Sequence, residues 1–273
     1  MNAQHISSRA NPWVQQHLRW QQQPRLRKQA AQAWLEGEHL VGEALARAAL
    51  GSAQFEPLEL VFPANAQGQA VATQMLVSHP SLAHLPVVFL AMPLYKLLVT
   101  LESLPSCCAV IGLKQSNANT LPIAAPAVVL DQVQDPGNVG TIIRLCAAFG
   151  VGAVYASAGC ASAWGSKALR AGQGAQLAVN IVEDVDLNTL YPALKASNIA
   201  IAATTLSAQS APLTQLRLPQ QAVWVFGHEG QGISASTRNA ATHHVHIPMQ
   251  GGFESLNVAT AAAITLWHWQ QQG

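Results

Sequence analysis

The chain has 273 residues, enough for one large domain or two ordinary ones, each with its own core. Half of its residues are apolar and a tenth are charged, which excludes an intrinsically disordered chain. No apolar run reaches the roughly 18 residues of a membrane span, and the start MNAQHISSRANPW has no signal-peptide core, so the cytoplasm is the expected compartment. Cys107, Cys108, Cys146 and Cys160 lack CxxC spacing, which points to reduced thiols rather than disulfides or a metal site.

The net charge of +1 hides an asymmetry, because Arg9, Arg19, Arg25, Arg27 and Lys28 gather at the N-terminus and no acid precedes Glu36. Trp13 and Trp20 lie among these cations, a mixture suited to pairing phosphates and stacking on the bases of single-stranded or looped RNA. A solvated helix face whose tryptophans pack onto the domain explains this segment equally well. Residues 29–50 carry apolar positions at helical spacing, and LELVFPA, LPVVFLAM and SCCAVIGL read as short strands. The result is a small α/β unit over residues 1–114, followed by a connection of small polar residues and proline over 115–125.

From residue 126 the pattern alternates. AVVLDQV, AVYAS, LAVNIV, IAIAATTL and AVWVFG read as strands, with TIIRLCAAFGV and NTLYPALKAS as helices between them. Such a series predicts a mostly parallel sheet with helices on both faces. Ligands of open α/β sheets gather at the carboxyl ends of strands, where three unusual loops fall, at 131–144, 227–234 and 248–257.

In the first loop Asp135, Pro136 and Gly137 force a turn, Asn138 reads as a helix N-cap, and Gly140 admits a close neighbour. Arg144 lies six residues beyond Asn138 on an otherwise apolar helix. It either serves a ligand or pairs with a carboxylate such as Asp135. The second loop sets Gly227, Gly230 and Gly232 around Glu229. It lacks the Lys-Ser/Thr ending of a phosphate-binding loop and carries an anion, so it suits a cationic or ribose-bearing ligand better than ATP, or else is a plain tight turn. In the third, Pro248, Gly251 and Gly252 shape the backbone before Ser255, Asn257 and an alanine-rich helix. Capping explains one of that polar pair more easily than both. Among ten histidines, His243, His244 and His246 cluster without metal-ligand spacing and suit surface or strand-edge positions.

Taken together, DPGNVGTIIR, VFGHEGQGIS and IPMQGGFESLNVATAAA, in this order, resemble the three signature motifs of the SpoU (TrmH-like) branch of the SPOUT RNA methyltransferases. SKALRAGQGAQLAV is similar to the family's segment between the first two motifs. ISSRANPWVQQHL through LRKQAAQAWLEGEHLVGEAL is similar, more loosely, to the substrate-binding domain that precedes the catalytic domain in many members.

The resemblance implies an α/β architecture with a trefoil-knotted, mostly parallel C-terminal sheet over 126–273 and a smaller N-terminal α/β domain resembling a ribosomal protein. It implies S-adenosylmethionine as cofactor, a homodimer, and methylation of a ribose 2′-hydroxyl in RNA, ribosomal RNA being favoured over tRNA. Neither a metal nor a membrane is implied. Carried over by position, Asn138, Arg144, Glu229, Ser255 and Asn257 form the catalytic set. Gly227, Gly232, Ile247, Met249, Ser255, Leu256 and Asn257 hold the cofactor, and Arg9, Arg19, Arg25, Arg27, Lys28 and Arg144 meet RNA. The competing readings are a non-catalytic RNA-binding or ribosome-assembly protein that keeps the fold, and a nucleotide-binding enzyme of small molecules.

Overall fold

A computed structural model describes residues 3–114, 123–207, 209–250 and 255–272. Most of the connection expected at 115–125, and the glycines Gly251 and Gly252, lie outside these residues. The chain divides into two compact units, 1–115 with 164–166, and 116–163 with 167–273.

The first unit runs β1 (Ala3–Ile6), α1 (Pro12–Gln22), α2 (Pro24–Gln29), β2 (Gln32–Glu36), α3 (Glu38–Ala49), β3 (Phe55–Pro63), α4 (Ala66–Ser78), β4 (Val87–Leu90), α5 (Met92–Leu98) and β5 (Cys108–Leu113). Its sheet has the order β1-β4-β3-β5-β2, with β5 antiparallel to both β3 and β2. Val14, Val61, Val88, Leu90 and Tyr95 close one core between the sheet and helices α1 and α5.

Residues 29–50 are not one helix, contrary to their apolar spacing. Ala31 at φ 49° and Gly37 at φ 94° break the chain on either side of QAWLE, whose Ala33 and Leu35 are buried in alternation and pair with β5. Helical spacing and period-two alternation overlap over so short a run, and the two left-handed residues decide between them.

The second unit runs β6 (Ala127–Asp131), α6 (Pro136–Ala148), β7 (Ala153–Ser157), α7 (Ser166–Gly172), β8 (Asn180–Val185), α8 (Leu187–Ala196), β9 (Ala200–Thr204), β10 (Ala211–Pro212), β11 (Ala222–Gly227), α9 (Ala235–Ala240), β12 (His243–His246) and α10 (Val258–Gln270). Every neighbouring pair in its sheet, ordered β10-β12-β9-β11-β6-β7-β8, is parallel. Strands β6 and β11 are buried along their whole length, as expected of central strands covered on both faces.

One face carries Val129, Tyr155 and Val225 against Leu190, Tyr191 and Leu194 of α8. On the other, Trp224 meets Trp269 of α10 edge-on at 6.3 Å, and α10 packs on α6. The histidine-rich strand β12 lies between β9 and β10 rather than at an edge, and its three histidines are half-buried. Only Val245 has the apolar character of a strand, which is why HHVH reads poorly as one.

Helix α6 is capped by Asp135, not Asn138. The Asp135 carboxylate accepts hydrogen bonds from the backbone N–H of Gly137 (2.6 Å) and Asn138 (3.1 Å), and Pro136 occupies the first helical position. The Asn138 side chain is thereby left for other work. The close neighbour that Gly140 admits is α7 of the same unit, since a Cβ on Gly140 would lie 2.2 Å from the Ala168 carbonyl oxygen.

Among the described residues, no helix is long and apolar enough to cross a membrane, and no group of three or more His, Cys, Asp or Glu is placed to hold a metal ion. Gly140→Ala is expected to lower stability by about 1–3 kcal/mol through overpacking, despite the roughly 1 kcal/mol that alanine gains over glycine inside a helix. Urea denaturation of the two proteins checks this, and an unchanged midpoint would refute the close α6–α7 contact.

Candidate active site

The second unit carries the candidate site where β6, β11 and β12 end. Three side chains from its three loops form one hydrogen-bonded chain. The Glu229 carboxylate accepts from the Asn138 side-chain amide at 2.9 Å and from the backbone N–H of Gln134 and Asp135, each at 3.1 Å. The Asn138 carbonyl oxygen in turn accepts from the Asn257 amide at 3.0 Å. The Asn257 carbonyl oxygen accepts from the backbone N–H of Ala259 (2.9 Å) and Thr260 (3.2 Å), which caps α10. Asn257 therefore caps a helix and reaches the first loop at once, and its orientation is fixed from both ends.

The second loop folds back on itself. His228 and Gly232 exchange backbone hydrogen bonds at 3.0 and 2.9 Å, and Gly232 takes φ 71°. Gly227 sits so close beneath the turn that a Cβ would lie 2.4 Å from the Gly232 carbonyl carbon. The His228 Nδ1 accepts from the backbone N–H of Gly230 at 2.9 Å, so the neutral ring carries its proton on Nε2. The loop is thus a tight turn and the wall of a cavity together.

That cavity has a volume of about 360 Å³, within the range of small-molecule sites. Gly227, Gly232, Ile247, Met249, Ser255 and Leu256 line it, six of the residues expected to hold a cofactor. Asn257, the seventh, does not line it, because its amide is committed to Asn138 and to the helix end. Thr204, the last residue of β9, with Thr205 and Leu206 after it, supplies a further wall that no sequence motif marked, and Arg238 another. The polar residues ending the apolar run IAIAATTL were the available signal. The Arg238 guanidinium donates to the Ile233 carbonyl at 3.1 Å, which directs it toward the backbone of the second loop.

Arg144 projects from α6 into solvent, and Asp135 is not its partner. Asp135 is held instead by Lys167, 2.8 Å away. The Lys167 ammonium, and the two N–H groups that Asp135 caps, keep the Asp135 carboxyl below its ordinary range. Neither Arg144 nor Asn138 lines the cavity.

Asp131, the last residue of β6, was not singled out from sequence. It is 1% exposed, and its Oδ2 accepts from the Ser234 N–H at 2.7 Å and the Thr237 hydroxyl at 2.6 Å. Tyr191 of α8 touches the same Thr237 oxygen at 2.6 Å. The carboxylate thus ties the far root of the second loop to the strand that feeds the first. A lone acid ending the apolar run AVVL was the available signal.

The cations expected to meet RNA belong to the first unit, except Arg144. Arg9, Arg19 and Arg25 are exposed, while Arg27 and Lys28 are half-buried. Trp13 is taken into that unit's own packing. Its indole N–H donates to Glu59 at 2.9 Å, and its ring stacks on His17 at 3.7 Å. Packing explains this tryptophan better than base stacking does.

The geometry defines an α/β unit with a cavity of small-molecule size beside an interlocked polar cluster at the carboxyl end of a parallel sheet. The chain belongs to the SpoU rRNA Methylase family, whose model matches residues 125–267. An uncharacterized tRNA/rRNA methyltransferase of Synechocystis sp. is 32% identical over 98% of this chain and 93% of its own length. The 23S rRNA (guanosine(2553)-2′-O)-methyltransferase RlmP of Bacillus subtilis is 35% identical over 54% of this chain, so the match spans 59% of that protein. Among solved structures, a protein assigned to the TrmH family of RNA methyltransferases from Porphyromonas gingivalis superposes with a TM-score of 0.80 at 27% identity, covering 97% of this chain and 99% of that one. The AdoMet-bound rRNA methyltransferase from Sinorhizobium meliloti shares the fold with a TM-score of 0.83 at 24% identity, over 99% and 98% of the two chains.

Burial pushes the Glu229 carboxyl upward, and the Asn138 amide and surrounding backbone N–H groups outweigh it, leaving its pKa below the ordinary 4.5. A carboxyl depressed on folding contributes stability above its unfolded pKa and loses it as the pH falls through the folded value. The clasp is therefore intact at neutral pH. Glu229→Gln is expected to flatten the loss of thermal stability below about pH 4.5 and to leave the curve from pH 6 to 8 parallel to that of the parent. An acid limb unchanged in the variant would show that Glu229 is not held this way.

Proposed function

We propose that this chain is a cytoplasmic enzyme that methylates a ribose 2′-hydroxyl of RNA with S-adenosylmethionine, with ribosomal RNA as the favoured substrate. The observation that carries the reading is the chain Glu229–Asn138–Asn257, whose Glu229 lines a cavity of mixed glycine, polar and apolar residues. Family membership and the rRNA methyltransferase names of relatives support it. The two-unit layout favours ribosomal RNA over tRNA, with residues 1–114 as the substrate-binding part and 126–273 as a trefoil-knotted catalytic part. The small residues of α10, buried at Ala259 and Ala262, suit close threading of the C-terminal segment.

The cavity suits S-adenosylmethionine in its donor set. Backbone groups around Gly227, Ile247 and Leu256 would hold the adenine and methionine ends. Apolar Ile247, Met249 and Leu256 would cover the base, and Ser255 would offer a hydroxyl. When bound, the cofactor would supply a methyl group on a sulfonium: as the ribose oxygen gains the methyl, the methyl–sulfur bond breaks, a neutral thioether leaves with the electron pair, and the hydroxyl proton passes to water.

The protein's own task is alignment and electrostatics. Asn138, fixed between Glu229 and Asn257, orients the ribose. A guanidinium with a pKa above about 12 is a poor proton acceptor. Arg144, exposed on α6, instead binds the neighbouring RNA phosphate and stabilises negative charge developing on the ribose oxygen. Glu229, accepting from three N–H donors and held below the usual carboxylate range, is a weak base. It serves as the clasp that positions Asn138.

Arg144→Ala is expected to lower methyl transfer to RNA by about a hundredfold or more while S-adenosylmethionine affinity, measured by calorimetry, stays within about twofold. Turnover within a factor of about two would remove Arg144 from the catalytic set, and binding of ATP or NAD in place of S-adenosylmethionine would overturn the whole reading.

The enzyme acts as a homodimer through the outer face of α10. Ile264 is 38% and Trp267 55% exposed there, an apolar pair one helical turn apart. Trp267→Glu is expected to convert the dimer to a monomer at micromolar concentration in light scattering. A parent protein that is already monomeric refutes this interface.

A further inference from the structure

Within the first unit, α1 and α2 enclose an open groove of about 470 Å³ lined by Pro12, Gln15, Gln16, Arg19, Trp20 and Leu26. No acidic side chain lines it, and the sequence holds none before Glu36. Trp20 is half-buried and forms one wall. Its ring meets His17 edge-on at 4.7 Å, and His17 stacks on Trp13, which meets Trp34 edge-on at 6.4 Å.

The His17 ring in this stack is neutral, and the Glu59 and Glu36 carboxyl groups accept from the Trp13 and Trp34 indoles. The His17 Nδ1–H donates to the Trp13 carbonyl at 2.8 Å, and burial drives the His17 pKa down to about 4, so its approach to Glu59 at 3.7 Å is not an ion pair at neutral pH. Trp20 meets this stack through its edge-on contact with His17. The charge at the groove comes from Arg19, which makes no ion pair among the described residues. The Gln15 amide N–H donates to the Arg9 carbonyl at 2.7 Å, which presents its own carbonyl oxygen as an acceptor in a fixed place. Gln16 beside it is exposed.

We propose that this groove is a nucleotide-binding subsite that seats one unpaired base of the RNA substrate on Trp20, with Arg19 on the adjoining phosphate and Gln15 and Gln16 on the base edge. It rests on the RNA-directed reading above and adds to it that the first unit selects single-stranded or bulged nucleotides. An indole is a sequence-tolerant stacking platform, a guanidinium pairs with phosphate, and side-chain amides suit the exposed edge of an unpaired base. A duplex keeps its bases inside the stack and offers none to such a groove.

The test uses the full chain with a ten-nucleotide oligoadenylate, the same length of RNA duplex, and S-adenosylmethionine. Tryptophan fluorescence and filter binding follow the RNA, and calorimetry follows the cofactor. Trp20→Leu, which keeps apolar packing without a π-face, is expected to weaken oligoadenylate binding by at least about fivefold and to leave cofactor affinity unchanged. Trp20→Phe, which keeps a ring, is expected to stay within about threefold of the parent. Arg19→Ala is expected to reduce the slope of log affinity against log salt by about 0.7. Equal binding by parent and Trp20→Leu, or duplex bound as tightly as single strand, overturns the proposal. Loss of cofactor binding in Trp20→Leu reports misfolding, and then Trp20→Phe and Arg19→Ala decide. Failure of methyl transfer in the parent, with the Trp20 dependence intact, would sink the proposed activity and leave the subsite standing.

Discussion

One carboxylate holds the candidate site together. Glu229 gathers two backbone N–H groups and one side-chain amide from a loop more than ninety residues away in sequence. A free carboxylate at that loop tip would be solvated by water. The three donors add to that solvation at an exposed carboxylate, and the resulting pKa below the ordinary carboxylate range is the sign that they more than offset its partial burial. Because Asn138 is one of those donors, its remaining oxygen is directed to Asn257, and the third loop is drawn into the same cluster. Ordering three loops costs conformational entropy, and a charged acceptor with three hydrogen bonds helps to offset it.

The sheet prepares this contact. Strands β6 and β11 are neighbours, and their register sets Asp131 opposite Gly227. At that level one strand carries a buried carboxylate that grips Ser234 and Thr237, and the other carries no side chain at all, because the backbone of Gly232 and Ile233 fills the space a Cβ would need. The second loop is consequently pinned at its tip by Glu229 and at its far root by Asp131. Helix α10 completes the arrangement: its first turn is capped by Asn257, and its Trp269 packs against Trp224 of β11, so the third loop is anchored to the strand that bears the second.

In the first unit the aromatic residues divide between two roles. Trp13, His17 and Trp34 are consumed by packing, with the Trp13 indole bonded to Glu59 and that of Trp34 to Glu36, whereas Trp20 and Arg19 line an open groove. Sequence proximity to the basic residues made Trp13 and Trp20 look alike. Their helix positions separate them, since residues seven apart share a face but not a depth, and only the sheet beneath α1 determines which ring is covered.

By itself the sequence determined what local chemistry controls. Apolar runs such as AVVL and AVWVF read as covered strands, Gly227 and Gly232 mark a tight turn, and an asparagine before an alanine-rich helix caps it. It also marked the three polar loops through the motifs they carry. Local chemistry did not distinguish Asp135 from Asn138 as the cap of α6, because both lie within one turn and Pro136 selects between them only once the helix has formed. It did not separate β2 from the helices around it, which two left-handed residues accomplish. Only the tertiary structure decided the partners of Glu229, Asn138 and Asp131 and the wall at the end of β9. Those contacts join residues about a hundred positions apart, and what sets them is the order and register of strands in the sheet, which no periodicity along the chain records.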